Sequence, residues 1–253
     1  MSRIQQAFSG QAKIAYLTAG DGGISASVEY FMALVAAGIN LLEVGIPYSD
    51  PSADGQVIQM AMERALGANT TIANCLDIVR KIRAQSSVAI ILFTYYNPIQ
   101  ANLQEFLTAA KGAGADGILI VDLPFEEADS YYHWCNCLDL APITVVAPST
   151  TLERMQLILA PLQRGFIYYA CQKGTTGARA ELPLDLSSQI AKIKQVSQLP
   201  VAIGFGVASA AMVKQILAVA DGCVVGSYLV AAVAKQVTPA ELTTLAKELF
   251  NVN

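Results

Sequence analysis

Eight short apolar runs rich in β-branched residues alternate with amphipathic helical patterns along the whole chain, which predicts a single (β/α)8 TIM barrel. Length agrees, since 253 residues is close to the roughly 250 typical of such barrels. Composition agrees too. Hydrophobic residues make up 54% and charged residues 14%, as expected when parallel strands are covered on both faces and read as continuous apolar runs. No Pro- or Gly-rich linker breaks the alternation, so one domain is expected over residues 1–253. A doubly wound open sheet is the competing architecture. It would usually carry a dinucleotide or P-loop fingerprint after the first strand, and AGDGGISAS at 19–27 matches neither spacing.

In chain order, strands are expected at 14–18, 41–46, 88–94, 117–121, 143–147, 166–170, 201–204 and 222–225. Each is a short run bounded by polar or glycine-containing segments. Between them, apolar residues at helical spacing predict helices at 25–37, 72–84, 103–113, 126–138, 152–160, 186–196 and 208–219, with a closing helix at 240–249. In a barrel all the loops that follow strands open on one face, so the active site is expected at the C-terminal ends of the strands.

None of the apolar runs approaches the ~18–20 residues of a membrane span. The start, MSRIQQAFSGQAK, has no apolar core region and no small-residue cleavage site, so a cytoplasmic location is expected. A net charge of −4 argues against nucleic acid as a partner, while leaving room for a local phosphate pocket. Five cysteines, Cys75, Cys135, Cys137, Cys171 and Cys223, are an odd number without framework spacing and are expected to be reduced thiols. His133, Cys135 and Cys137 crowd around Trp134, but on a helix they would spread around the circumference, so no metal site is expected. His133 is the only histidine, which disfavours triads built on His.

The most informative stretch is LLEVGIPYSDPSADG at 41–55. It places one acid, Glu43, inside an apolar strand and another, Asp54, in the loop that follows. As a strand, it points Leu41, Glu43 and Gly45 one way and Leu42, Val44 and Ile46 the other. A buried carboxylate without a partner is costly and its pKa rises, which is how a Glu becomes a general acid or base near neutral pH. The alternative is a Glu paired with an Arg at a strand end. After strand 6, CQKGTTGARAELP at 171–183 is the longest polar, Gly-rich stretch and has the length of a mobile lid. Gly204 and Gly206 after strand 7, and Gly226 with Ser227 after strand 8, lie where barrels commonly hold phosphate on backbone amides.

These motifs together resemble the alpha subunit of tryptophan synthase. The resemblance runs nearly end to end, through 41–55, YYNPI at 95–99, VDLPFEE at 121–127, APST at 147–150, TTGAR at 175–179, GFGV at 204–207 and VGS at 225–227. It implies a lyase that cleaves indole-3-glycerol phosphate to indole and glyceraldehyde 3-phosphate, in complex with a beta subunit that carries pyridoxal phosphate and receives the indole. This chain itself would need no cofactor, and an alpha2-beta2 heterotetramer is the implied assembly. Carried over by motif, Glu43 and Asp54 are the catalytic acids, and Thr176 is the lid residue that orients Asp54. Gly177, Gly206, Gly226 and Ser227 form the phosphate cradle, while Tyr16, Phe93, Leu119 and Tyr168 wall the indole pocket.

The chain departs from the family pattern in its loops. Gly22 stands where Pro is usual after Gly-Asp, Ser52 where Leu is usual, Gln56 where Pro is usual, and the lid reads Gly174, Thr175, Thr176 where Gly-Val-Thr is common. Replacing Pro widens the conformations open to a loop and so taxes a pre-organised site. Two further functions are therefore kept in view. One is an allosteric activator of the beta subunit with weak or lost lyase activity. The other is a different phosphate-binding barrel enzyme, such as an isomerase or decarboxylase.

Overall fold

The computed structural model describes residues 1–170, 182–204 and 206–250. Eight parallel strands pair in chain order: β1 (Ala12–Thr18), β2 (Leu41–Gly45), β3 (Ala89–Thr94), β4 (Gly117–Ile120), β5 (Ala141–Val146), β6 (Ile167–Ala170), β7 (Val201–Gly204) and β8 (Gly222–Val225). β8 returns to β1 in the register Ala12↔Gly222 and Ile14↔Val224, which closes the barrel. The helices outside it are α1 (Arg3–Ala7), α2 (Ile24–Ala36), α3 (Gln56–Gly67), α4 (Ile72–Arg83), α5 (Leu103–Ala113), α6 (Asp129–Cys137), α7 (Leu152–Leu159), α8 (Leu186–Val196), α9 (Ala210–Leu217), α10 (Ser227–Ala234) and α11 (Pro239–Phe250). No helix among the described residues is long and apolar enough to cross a membrane.

Every predicted strand is present within a few residues of its expected bounds. The helices hold differences. The expected helix 126–138 is divided into a 3-10 turn at Phe125–Glu127 and α6, because Pro124 fixes an extended entry and Ala128 breaks the run at ψ near 0°. α1, α3 and α10 lie outside the sequence-predicted elements. α3 buries Ile58, Ala61, Met62 and Ala65, an i, i+3, i+4, i+7 stripe, so it belongs to the helical ring and β2 is followed by two helices.

Inside the barrel, parity and register decide what meets what. Tyr16 pairs with Glu43, Glu43 with Ile91, Gly45 with Phe93 and Phe93 with Leu119. Two glycines make room for tyrosine rings leaning across from the preceding strand. A Cβ on Gly45 would overlap the Tyr16 hydroxyl, and one on Gly204 would overlap the Tyr168 hydroxyl.

The opposite end is closed by α1, whose Ile4 and Ala7 are buried, with Phe8 against Phe166 at 5.2 Å between ring centroids. Here Arg83 ties the starts of β3 and β4 together. Its guanidinium donates to the carbonyls of Gly114, Ser86 and Val88 and to Asp116 Oδ2 at 2.8 Å. Asp116 in turn accepts the Ile90 N–H at 2.9 Å. Removing the guanidinium strands several carbonyls and a mostly buried carboxylate. Arg83→Met is expected to lower stability by about 3 kcal/mol, read as a drop in urea midpoint at unchanged slope. A midpoint within error of wild type would show that this latch contributes nothing net.

Candidate active site

Glu43 and Asp54 reach the same cavity at the C-terminal end of the barrel, of about 50 Å³, together with Tyr16, Ile58, Phe93, Tyr168, Gly204, Gly206, Val224, Gly226 and Ser227. Larger clefts exist elsewhere, about 270 Å³ between α6 and α7 and about 490 Å³ at the N-terminal end. Neither is lined by a buried carboxylate that faces it without a partner. The chemistry therefore favours the smaller cavity over the larger ones.

Glu43 is 1% exposed, and its Oε1 has no hydrogen-bond partner among the described residues. It also makes no ion pair among them, so the strand-end Arg considered from sequence is not found. Burial alone pushes its carboxyl up to about 8. Asp54, 3% exposed, is pushed up to about 6 by burial, while a hydrogen bond from Tyr95 pulls it back. That bond runs from the Tyr95 hydroxyl to Asp54 Oδ2 at 2.7 Å, and the same hydroxyl accepts the Ala53 N–H at 3.0 Å. Two carboxyls in one cavity thus acquire different affinities for a proton, one from burial alone and the other from burial opposed by a donor.

The pocket walls are aromatic on two sides. Tyr16 meets Phe93 edge-on, with centroids 5.4 Å apart, and Tyr168 lies over Gly204. The Tyr16 hydroxyl is within 3.3 Å of Thr18 Oγ1. At the remaining side, Gly226 caps α10, which begins at Ser227. The first amides of an eight-residue helix have no intrahelical acceptor, and they lie at this edge of the cavity.

Of the sequence-predicted residues, Glu43, Asp54, Tyr16, Phe93, Tyr168, Gly206, Gly226 and Ser227 are brought together. Leu119 is not. It is fully buried beside Phe93 in the next strand and belongs to the packed interior rather than the lining. Thr176 and Gly177 lie outside the described residues, as do residues 171–181 as a whole. Tyr95 was not assigned a role from sequence, although it follows Phe93 by two residues and therefore continues the inward parity of β3 past its end. Gln59 carried no such signal. His133 Nε2 and Cys137 Sγ are 3.7 Å apart on the exposed side of α6 while Cys135 is buried. Among the described residues no three potential metal ligands gather.

Glu43 also makes stability depend on pH. Its carboxyl titrates near 4.5 when unfolded and about 8 when folded, so between those values the folded state holds the proton more tightly. The stability is fully present below about pH 4.5 and is lost as pH rises through about 8, with a slope of at most ~1.4 kcal/mol per pH unit. Glu43→Gln removes this dependence. Its melting temperature is expected to exceed that of wild type by a margin that grows from pH 5 to pH 8 and then levels. A margin that is flat over this range would mean that the carboxyl is ionised in the fold.

Comparison with known proteins agrees with this geometry. The family model for the tryptophan synthase alpha chain matches residues 3–252. A tryptophan synthase alpha chain of Coxiella burnetii (strain CbuK_Q154) is 46% identical over 250 residues, 98% of this chain and 97% of the relative. One from Chlamydia caviae is 42% identical over 254 residues, 98% of each. Among solved structures, a Mycobacterium tuberculosis tryptophan synthase chain superposes with a TM-score of 0.90 at 35% identity, covering 98% of this chain and 96% of that one. A chain of a tryptophan synthase complex from Pyrococcus furiosus gives 0.88 at 34%, covering 95% and 98%. A match this complete in sequence and fold means that the chain belongs to the tryptophan synthase alpha chain family.

Proposed function

We propose that the chain cleaves indole-3-glycerol phosphate by retro-aldol chemistry to indole and glyceraldehyde 3-phosphate. The observation that carries this reading is the buried carboxyl of Glu43, whose Oε1 has no hydrogen-bond partner among the described residues, facing the same cavity as Asp54. A carboxyl with a pKa of about 8 is protonated at neutral pH and able to act as an acid toward carbon. In this scheme Glu43 delivers its proton to indole C3, and the positive charge that appears on the ring nitrogen is stabilised by the Asp54 carboxylate accepting the ring N–H. Glu43, now ionised, takes the proton of the side-chain hydroxyl. The carbonyl of glyceraldehyde 3-phosphate forms, the carbon–carbon bond breaks, and its electrons return to the indole ring. Glu43 ends protonated, ready for the next turnover.

Tyr16, Phe93 and Tyr168 supply flat walls for the indole, and Gly206, Gly226 and Ser227 the cradle for the phosphate. Thr176 and Gly177 are assigned by family resemblance to orienting Asp54 and to the cradle. The reaction is proposed to need no cofactor in this chain. The partner proposed is a beta subunit carrying pyridoxal phosphate in an alpha2-beta2 assembly in the cytoplasm, consistent with the likeness to a chain of the Pyrococcus furiosus complex.

The test is glyceraldehyde 3-phosphate formation with and without the cognate beta subunit, beside tryptophan formation from indole and serine. Glu43→Gln is expected to abolish cleavage while leaving activation of the beta subunit intact, and Asp54→Asn to reduce cleavage by ~10²-fold or more. With Asp54 needed ionised and Glu43 needed protonated, kcat/KM should rise through about pH 6 and fall through about pH 8. Wild type with no cleavage but faster use of indole by the beta subunit would support the activator reading. One specific observation favours keeping that reading: Gly22 adopts φ +81°, a backbone that the proline usual at this position does not reach.

A further inference from the structure

We propose that Gln59 is a positioning residue that fixes the Asp54 loop from the helix side, an inference that rests on the catalytic role given to Asp54. The loop runs from Pro47 to Gly55. Ser52 N–H donates to the Asp50 carbonyl at 2.8 Å and Asp54 N–H to the Pro51 carbonyl at 3.1 Å. Gly55 caps α3, and its carbonyl accepts the N–H groups of Ile58 and Gln59, each at 3.0 Å. Gln56, exposed at the first helical position, lacks the fixed φ of the proline usual there.

Gln59 reaches back across this junction. Its Nε2 donates to the Asp54 carbonyl at 2.8 Å and to the Pro51 carbonyl at 3.3 Å. Both partners are carbonyl oxygens, which only accept, so the amide nitrogen is the end that faces them. One side chain thereby joins the two ends of the Pro51–Asp54 turn. On the far side Tyr95 holds the Ala53 N–H and Asp54 Oδ2. Asp54 is thus gripped at its carboxylate by Tyr95, just past the end of β3, and at its carbonyl by Gln59 of α3. Without the second grip the loop is free to pivot about the Tyr95 contact. A displacement of about 1 Å at a catalytic group is enough to cost ~10²-fold in rate.

The experiment uses the full chain with its cognate beta subunit and the variants Gln59→Met, which keeps length and loses both donors, and Gln59→Glu, which turns an acceptor toward the carbonyls. For both, kcat for indole-3-glycerol phosphate cleavage is expected to fall ~10- to 100-fold with KM changed less than about threefold and the melting temperature near that of wild type. Wild-type kcat in both variants, or a lowered melting temperature with unchanged kcat, would overturn the proposal. A second measurement does not depend on cleavage. The Asp54 carboxyl is titrated by carbon NMR with and without Tyr95→Phe, in wild-type and Gln59→Met backgrounds. Losing the phenol should raise the midpoint in wild type and do so by clearly less in Gln59→Met, because the loop no longer presents Asp54 to it. Equal shifts in the two backgrounds would overturn the role of Gln59 even if wild type proves to have no lyase activity. Absence of that activity alone would count against the proposed reaction, not against the clamp.

Discussion

The site depends on one electrostatic choice: two carboxyl groups are buried at the mouth of the barrel with no cation beside them among the described residues. A Lys or Arg next to Glu43 would repay the desolvation of its carboxylate and hold it ionised, and an ionised Glu has no proton to give to carbon. The unpartnered Oε1 is therefore a sacrifice of stability that keeps a proton available. Asp54 faces the opposite demand, since it must be an anion when the ring nitrogen becomes cationic. The Tyr95 hydroxyl favours that anion, while leaving it desolvated enough to interact strongly with charge developing nearby.

The remaining architecture supports that arrangement. A closed barrel puts the C-terminal ends of β2, β3, β6, β7 and β8 around one small space, so residues from distant parts of the chain meet there. Its tight packing is reconciled with two inward tyrosines by glycine at the positions they lean over, Gly45 for Tyr16 and Gly204 for Tyr168. At the other end, Arg83 and Asp116 satisfy backbone groups that the strand starts leave open. Ion pairs are found at both ends, since Arg64 of α3 also grips Asp21 in the loop after β1 at 2.7 Å.

Much of this was legible in the sequence because it rests on local pattern. Eight apolar runs and the helical stripes between them fix a barrel, and the parity of Leu41, Glu43 and Gly45 places Glu43 on one face. α3 was legible in principle, since Ile58, Ala61, Met62 and Ala65 carry helical spacing, and Tyr95 continues the parity of Phe93. Leu119 shows the limit. Register alone puts it beside Phe93, but how far up the barrel the cavity reaches is set by tilt and side-chain packing across strands, which no single run encodes. Gln59 shows another. Its partners are carbonyls of Pro51 and Asp54, and a contact between side chain and backbone across a turn leaves no trace in residue type.

The phosphate end follows the same electrostatic logic as the acids. Among the described residues that line the cavity there is no Lys or Arg, although a phosphate dianion would ordinarily invite one. A fixed cation within the same low-dielectric space would draw the pKa of both Glu43 and Asp54 downward and lose the separation between them. Backbone amides at Gly226 and the start of α10 offer directional hydrogen bonds and a partial positive charge that falls off within a turn. They suit a phosphate without placing a full charge beside Glu43. In the proposed reaction the glycines at 206 and 226 would thus serve the acids indirectly, because binding the anion through backbone leaves the proton on Glu43 governed by burial.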